Sequence, residues 1–551
     1  MTEPKSEKLH FTTKLAYGAG DFGPAITANI LVFYLLFFFT DVAGLSPGLA
    51  GSVLMIGKIS DAINDPIIGI LSDRTRSPWG RRLPWILGGM IPFALLYCLQ
   101  WIIPHFSDDI NVNTWGLFAY YVLIGILFNI CYTTVNLPYT ALTPELTQDY
   151  NERTSLNSFR FSFSIGGSIL SLILYILASA AYPNNAPIKY LVLGISCGIL
   201  AILALLWCTL RVQERGAKPI LNLTQKKLLG QLLLPIAIVG LIYGILRTIP
   251  GLSSLVGGMG KLDFISFFTL LMSLGFLGFS LSLLLAVPED HLTNELAKKE
   301  NKIAQESESL PFKEQLKIVF NNRPFLYIIG IYLCSWLGVQ LTASILVYFV
   351  VSYMGLGEDK SGLVALAVQG TALIMLFFWQ AVCQKLDKKN VYFMGMGVWI
   401  MAQIGLFQLQ PGQITLMFIL AIMAGVGVSV AYLIPWSMVP DVIELDELQT
   451  GQRREGIFYA FMVLLQKFGL ALGLFLVGIV LEAAGFIARI PDQPIPTQPE
   501  SALLAIRLAV GPLPAIVLII GLVLAYFYPI TREVHAEIRL KLQQRYEENE
   551  P

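Results

Sequence analysis

Residues 47–82 read PGLAGSVLMIGKISDAINDPIIGILSDRTRSPWGRR. From 47 to 72 the run is apolar apart from a few polar side chains, and it closes on a basic loop containing Arg74, Arg76, Arg81 and Arg82. About 20 such residues, rising about 1.5 Å each, cross the hydrocarbon of a bilayer as a helix. Within this span Asp61 and Asp65 are four residues apart and Asn64 is three from Asp61, so all three share one helical face. Asp61 lies on the order of 20 Å from the basic end. A carboxylate at that depth costs about 2.5–3.5 kcal/mol on insertion scales and must face a partner or water. Two on one turn repel each other unless a cation sits between them or one binds a proton. The face is therefore a candidate cation site. The alternative is an ion pair with Lys58 or another buried base.

The rest of the chain fits a membrane setting. Hydrophobic residues make up 55% of its 551 residues and charged residues 13%, about half the charge of an ordinary soluble domain. Lys plus Arg equals Asp plus Glu at 37 each, so no basic excess points to nucleic acid. The six cysteines (98, 131, 197, 208, 334, 383) all fall in apolar segments without a C-x-x-C pair and read as free thiols. The polar stretch Met1 to Lys14 runs into an apolar segment without a cleavage motif and reads as a cytoplasmic tail.

Spans are expected near 15–40, 47–72, 83–104, 114–142, 156–182 and 188–210, and again near 325–353, 361–384, 390–410, 414–440, 456–486 and 502–528. Two more apolar stretches, 228–250 and 263–287, lie between the series, joined by the Gly-rich turn Pro250 to Gly260. Lys5, Lys8, Lys14, the Arg74–Arg82 loop, Arg153, Lys385, Lys388, Lys389, Arg453, Arg454 and the C-terminal tail all mark one side. The opposite loops are poor in base, which places both termini in the cytoplasm. The expected organisation is an N-terminal six-helix half over 1–211, an inserted hydrophobic hairpin and linker over 212–324, a C-terminal six-helix half over 325–530 and a cytoplasmic tail over 531–551. A hairpin lying on the membrane surface is the rival, but neither segment has a charged face. The charged stretch Glu289 to Lys317 is expected to be a linker with an amphipathic helix.

The fourth span adds Thr133 and Asn136, three apart before Pro138, whose oxygens suit a hard cation or a hydroxylated solute. Lys467 sits halfway along the eleventh core span and needs a counter-ion, for which the second-span carboxylates are candidates. Tyr17, Tyr34, Tyr139, Trp336, Trp379 and Trp436 have rings that can stack on a sugar, although most membrane aromatics pack or anchor. Gly257-Gly-Met-Gly-Lys261 lacks the spacing and hydroxyl of a phosphate-binding loop, which argues against a primary pump. Four histidines and no H-E-x-x-H argue against a membrane enzyme.

Several motifs carry a resemblance. Gly69-Ile-Leu-Ser-Asp73-Arg74 with Gly80-Arg81-Arg82 looks like the loop between helices two and three of the major facilitator superfamily. Tyr17-Gly18-Ala19-Gly20-Asp21-Phe22-Gly23, Asp61-Ala-Ile-Asn64-Asp65-Pro66, Trp79-Gly80 through Pro84-Trp85 and Asn136-Leu-Pro138-Tyr139 resemble the glycoside–pentoside–hexuronide:cation symporters, the melibiose permease type. So do Glu152-Arg153-Thr-Ser-Leu-Asn, Pro440-Asp441 through Glu447, and Arg453-Arg454-Glu455-Gly456 up to Lys467. The resemblance covers nearly the whole chain except about 212–310.

It implies an all-α integral membrane protein of the major facilitator fold with twelve core spans; the inserted hydrophobic pair, which brings the expected total to fourteen, departs from that pattern. It also implies a monomer in the bilayer, without a cofactor, that moves a glycoside-type solute coupled to sodium, lithium or protons. Asp61, Asn64, Asp65 and Thr133 match the cation site, with Asp61 and Asp65 as the sodium carboxylates. Arg160 matches an arginine lining the sugar site, and Lys467 the lysine between the cation and sugar regions. Arg153, Asp441, Glu447 and Arg453 match charged residues of a cytoplasmic gate, where ion pairs between halves would hold the outward-facing state. Two acids that grip galactosyl hydroxyls in melibiose permease align with Ala25 and Asn136 here, which argues against a melibiose-like specificity. Asp21, one turn before Ala25, is the candidate replacement, and Asn136 stays a candidate solute contact. The same pattern resembles the animal sodium-dependent lysophospholipid symporters, so an amphiphile carrier and an uncoupled facilitator stand as alternatives.

Overall fold

A computed structural model of the chain describes residues 9–147, 150–249, 262–286, 312–383, 385–450, 455–487 and 496–549. All regular structure among them is helical: α1 (Phe11–Phe37), α2 (Pro47–Arg74), α3 (Leu83–Leu99), α4 (Ile110–Thr140), α5 (Leu142–Leu146), α6 (Tyr150–Ala181), α7 (Ala186–Arg211), α8 (Leu223–Thr248) and α9 (Phe264–Leu284). They are followed by α10 (Phe312–Asn321), α11 (Arg323–Tyr348), α12 (Glu358–Cys383), α13 (Lys388–Gln408), α14 (Ile414–Thr450), α15 (Glu455–Ala483), α16 (Glu500–Val510), α17 (Pro512–Phe527) and α18 (Arg532–Asn549). Twelve helical segments among the described residues are long and apolar enough to cross a membrane. Those twelve include both helices of the inserted pair, α8 and α9, but neither α2 nor α3. The charges of α2 set it apart, and α3 has only 17 residues.

Several boundaries differ from the expected ones for local reasons. The fourth span starts early, at Ile110, because the Asp109 carboxylate accepts from the N–H groups of Asn111 and Val112 and caps the helix. The tenth core span runs on to Thr450, carrying Asp441 and Glu447 on the same helix as its apolar part. The twelfth breaks into α16 and α17 at Gly511, before Pro512 and Pro514. A Cβ at Gly511 would lie 2.7 Å from Phe407 Cβ, so the break also lets the backbone approach α13. All six cysteines are free. Of the expected linker, α10 is described; the turn over 250–260 lies outside the described residues.

Packing divides the chain into two compact units, Met1–Leu31 with Ile63–Ser307, and Val32–Ala62 with Glu308–Pro551. In the first unit, glycines bring helices close around large aromatics: Gly194 of α7 faces Trp101, and Gly89 of α3 faces Thr134 and Val135 of α4. Trp101 stacks on Tyr190 with centroids 5.4 Å apart, and the Lys189 ammonium lies 4.6 Å from the Tyr190 ring. The α8–α9 hairpin belongs to this unit. Its helices are joined by Ser280 Oγ donating to the Gly230 carbonyl at 2.7 Å. It docks where Trp207 of α7 stacks on Phe279 and donates its indole N–H to Ser282 Oγ at 2.6 Å.

In the second unit, α1 and α11 end alike, in wide turns over Phe38–Val42 and Phe349–Tyr353 followed by left-handed Gly44 and Gly355. The two ends meet through Thr40 and Tyr348, whose hydroxyls are 2.7 Å apart. The first part of α2 crosses α15 backbone to backbone: a Cβ on Gly51 would sit 3.3 Å from Gly478 Cα. Buried Ile538 and Leu542 fasten α18 to the core of this unit.

Candidate functional site

Helix α2 is continuous through Asp61, Asn64 and Asp65, which the helical repeat places on one face. Asp61 packs with the second unit and is 1% exposed. Its carboxylate lies 3.1 Å from Lys467 Nζ of α15 and 3.6 Å from Lys58 Nζ, one turn earlier on α2. The counter-ion that Lys467 requires is thus Asp61, and Lys58 joins the same carboxylate.

Asp65 packs with the first unit and is half-buried, as is Asn64. Thr133 of α4, 2% exposed, donates its hydroxyl to Asp65 Oδ1 at 3.1 Å. Asn136 is half-buried nearly one turn further along α4. Carboxylate, amide and hydroxyl oxygens are the donor set of a hard monovalent or divalent cation.

The first unit also explains the Tyr17-Gly18-Ala19-Gly20-Asp21 motif. A Cβ on Gly18 would press into Phe163 and the Phe159 carbonyl of α6, and one on Gly20 would collide with the Tyr139 ring of α4. These two glycines draw α1 against α4 and α6. Tyr17 then stacks on Tyr139 at 5.2 Å; its hydroxyl meets Thr143 at 2.6 Å, and the Tyr139 hydroxyl donates to the Tyr17 carbonyl at 2.7 Å. The same approach leaves buried Asp21 with its Oδ2 3.7 Å from Arg160 Nε of α6. Of the aromatics singled out above, Tyr17, Tyr34, Tyr139 and Trp379 are buried, whereas Trp336 and Trp436 are half-buried.

A charge network that sequence reasoning missed surrounds the loop before α3. Glu214, between α7 and α8, accepts the backbone N–H groups of Arg81, Arg82 and Leu83, each at 2.8 Å. These are N-terminal donors that α3 leaves without an intrahelical partner. Burial pushes the Glu214 carboxyl above the usual range; the three N–H bonds oppose that rise and nearby Glu145 adds to it. Arg81 pairs with Glu145, and Arg82 with Asp73 and the Ser72 hydroxyl. The available signal was Gly80, whose φ of +103° and lack of a Cβ let the Glu214 carboxylate close in.

Of the expected gate residues, Asp441 is buried on α14 and is held inside its own unit. Lys388 Nζ lies 2.7 Å from one of its oxygens, and His535 of α18 lies 3.4 Å from the other while meeting Glu444 at 2.8 Å. Glu447 is buried further along α14. Arg153 falls on α6 with its side chain outside the described residues, and Arg453 lies outside them altogether. Beside Arg153, Glu152 pairs with Lys14 at 2.8 Å and accepts the Leu9 N–H at 3.2 Å, tying down the start of α1.

Solved transporters share this architecture. The partially occluded, inward-open xylose transporter XylE from E. coli superposes with a TM-score of 0.52 at 13% identity, covering 95% of this chain and 97% of that one. The nucleoside transporter NupG gives 0.54 at 11% identity over 94% of this chain and 100% of its own. These likenesses establish the fold alone. Residues 16–233 and 233–532 match the MFS/sugar transport protein family, and the chain belongs to that family. This agrees with the glycoside–pentoside–hexuronide:cation resemblance of its motifs. The chain is 66% identical over 545 residues to an uncharacterised symporter of Synechocystis sp., covering 99% of this chain and 98% of that one. It is 25% identical over 562 residues to the sodium-dependent lysophosphatidylcholine symporter 1-A of Danio rerio, covering 100% and 92%. The chain is a symporter of the major facilitator type.

Proposed function

We propose that the chain couples the entry of a sugar or glycoside to sodium or protons by alternating access, working as a monomer in the cell membrane with both termini in the cytoplasm. The observation that carries this reading is the charged face of α2, with Thr133 donating to Asp65. A cation seated on Asp61, Asn64, Asp65 and Thr133 relieves the repulsion of the two carboxylates. It competes there with the ammonium groups of Lys58 and Lys467 that hold Asp61. Exchange of one positive charge for another releases Lys467 for the solute, whose other contacts are Asp21, Asn136 and Arg160. Cation and solute each favour the other's binding, reciprocally. Arg153, Asp441, Glu447 and Arg453 supply charges to a cytoplasmic gate that rearranges in the cycle.

The test is uptake of radiolabelled sugars and lysolipids, with and without sodium and across pH, by the wild type, Asp61→Ala and Asp65→Ala. Loss of cation-dependent uptake in both variants is expected; full retention in either one overturns the assignment. A second reading, a cation-dependent carrier of lysophospholipids, is supported by the end-to-end similarity to the Danio rerio symporter. The absence of acids at Ala25 and Asn136 also supports it. Sodium-stimulated uptake of lysolipids without any sugar in the panel would decide for it.

A further inference from the structure

The pairing of Asp21 with Arg160 bears on which charge a solute can carry; the inference rests on the reading above that these residues line the solute site. The apolar stretches of α1, α4 and α6 hold few charges. Beyond Lys14, Glu152 and Arg153 near the helix starts, their sequences contain only Asp21 and Arg160. Of the neighbouring tyrosine hydroxyls, that of Tyr139 donates to the Tyr17 carbonyl, while that of Tyr17 meets Thr143 and also Arg160; both are neutral groups and neither balances the guanidinium charge. The Phe161 ring is centred 5.1 Å from the Arg160 guanidinium. Asp21 is therefore its resident counter-charge. At 3.7 Å the contact is an ion pair rather than a saturated hydrogen bond. The buried Arg160 Nε makes no hydrogen bond.

The two groups thus neutralise each other while retaining hydrogen-bonding capacity, donors on one and acceptors on the other. Solute hydroxyl groups, which both donate and accept, can be bound by such a pair without disturbing its charge balance. A solute carboxylate or phosphate would have to displace Asp21 from Arg160 and then sit beside a second negative charge in a poorly solvated place. We propose that Asp21 is a charge filter: by neutralising Arg160 it selects net-neutral hydroxylated solutes and rejects their anionic counterparts.

The experiment is proteoliposome uptake of matched neutral and anionic pairs. The pairs are 4-nitrophenyl glucoside and glucuronide, 4-nitrophenyl galactoside and galacturonide, and monoacylglycerol and lysophosphatidic acid. The wild type is expected to favour the neutral member by about tenfold or more, the equivalent of about 1.4 kcal/mol. Asp21→Asn should reverse that preference, because Arg160 is then left to recruit an anion. Adding Arg160→Gln removes both charges, leaves no unpaired buried ion and should abolish the reversed preference. Equal wild-type uptake of neutral and anionic members, or an unchanged ratio in Asp21→Asn, overturns the filter. If Asp21→Asn does not fold, the double variant decides, since it must lose the wild type's discrimination. If no glycoside enters while a lipid does, the sugar reading fails, and the filter is judged on the lipid pair by the same ratio.

Discussion

Replacing Lys467 by Met keeps most of the side-chain volume and removes one of the two ammonium groups around Asp61. At 3.1 Å and an effective dielectric of about 20, the lost attraction is about 5 kcal/mol; the remaining Lys58 at 3.6 Å contributes about 4.6 kcal/mol. Breaking a buried pair costs about 3–5 kcal/mol when it strands a charge. Because Lys58 stays in place, the low end applies, and the variant should lose about 3 kcal/mol of stability in cation-free medium. The charge count along α2 changes as well. Lys58 and Lys467 together balance Asp61 and Asp65, whereas the variant is one positive charge short. An added cation restores the balance, so the variant should bind its coupling ion about tenfold tighter or more, as about 1.4 kcal/mol per decade requires. Thermal unfolding in detergent, with sodium chloride against choline chloride at matched ionic strength and over a pH series, reads both effects. If cation-free stability changes by less than about 0.5 kcal/mol, or both proteins respond equally to sodium and protons, then Lys467 is not the counter-ion that the coupling cation replaces.

Thr133→Val removes a hydrogen bond to a charged acceptor, worth about 1.5–3 kcal/mol. It should weaken cation affinity about tenfold while leaving solute affinity at saturating cation unchanged, as titrations of each ligand would register. Gly80→Ala adds a Cβ at φ +103° and against the Glu214 carboxylate, and should lower stability by about 2 kcal/mol or more in denaturation assays. Glu214 titrates above the usual glutamate range, chiefly because it is buried. Its favourable contribution is therefore present below the unfolded-state value and fades as pH rises through the folded-state value. Relative to Glu214→Gln, the wild type should lose melting temperature across that window, and parallel curves for the two proteins would refute this.

The helices were legible because membrane spans are long, apolar and punctuated by charge, and the helical period alone puts Asp61, Asn64 and Asp65 on one face. Lys467 was legible too, since a mid-span ammonium demands a carboxylate. The Asp441 partners Lys388 and His535 were not: they come from separate helices 53 and 94 residues away, and no local spacing signals such a meeting. Glu214 hid for the same reason. Its partners are backbone N–H groups, which every residue but proline carries, so only the glycine at position 80 could have betrayed it. The kink at Gly511 was written in the adjacent prolines, yet the apolar run across it reads as one continuous span.

The Glu214 contact has a consequence in time. It joins positions 133 residues apart. At a synthesis rate of about 5–20 residues per second, Glu214 follows Arg81 out of the ribosome by roughly 7–27 s. Throughout that interval the leading N–H groups of α3 have no carboxylate to receive them and depend on water at the membrane surface. The α3–α7 segment must therefore enter the bilayer with one end provisionally solvated, and the arrival of Glu214 marks the point at which that stretch of the nascent chain can be sealed.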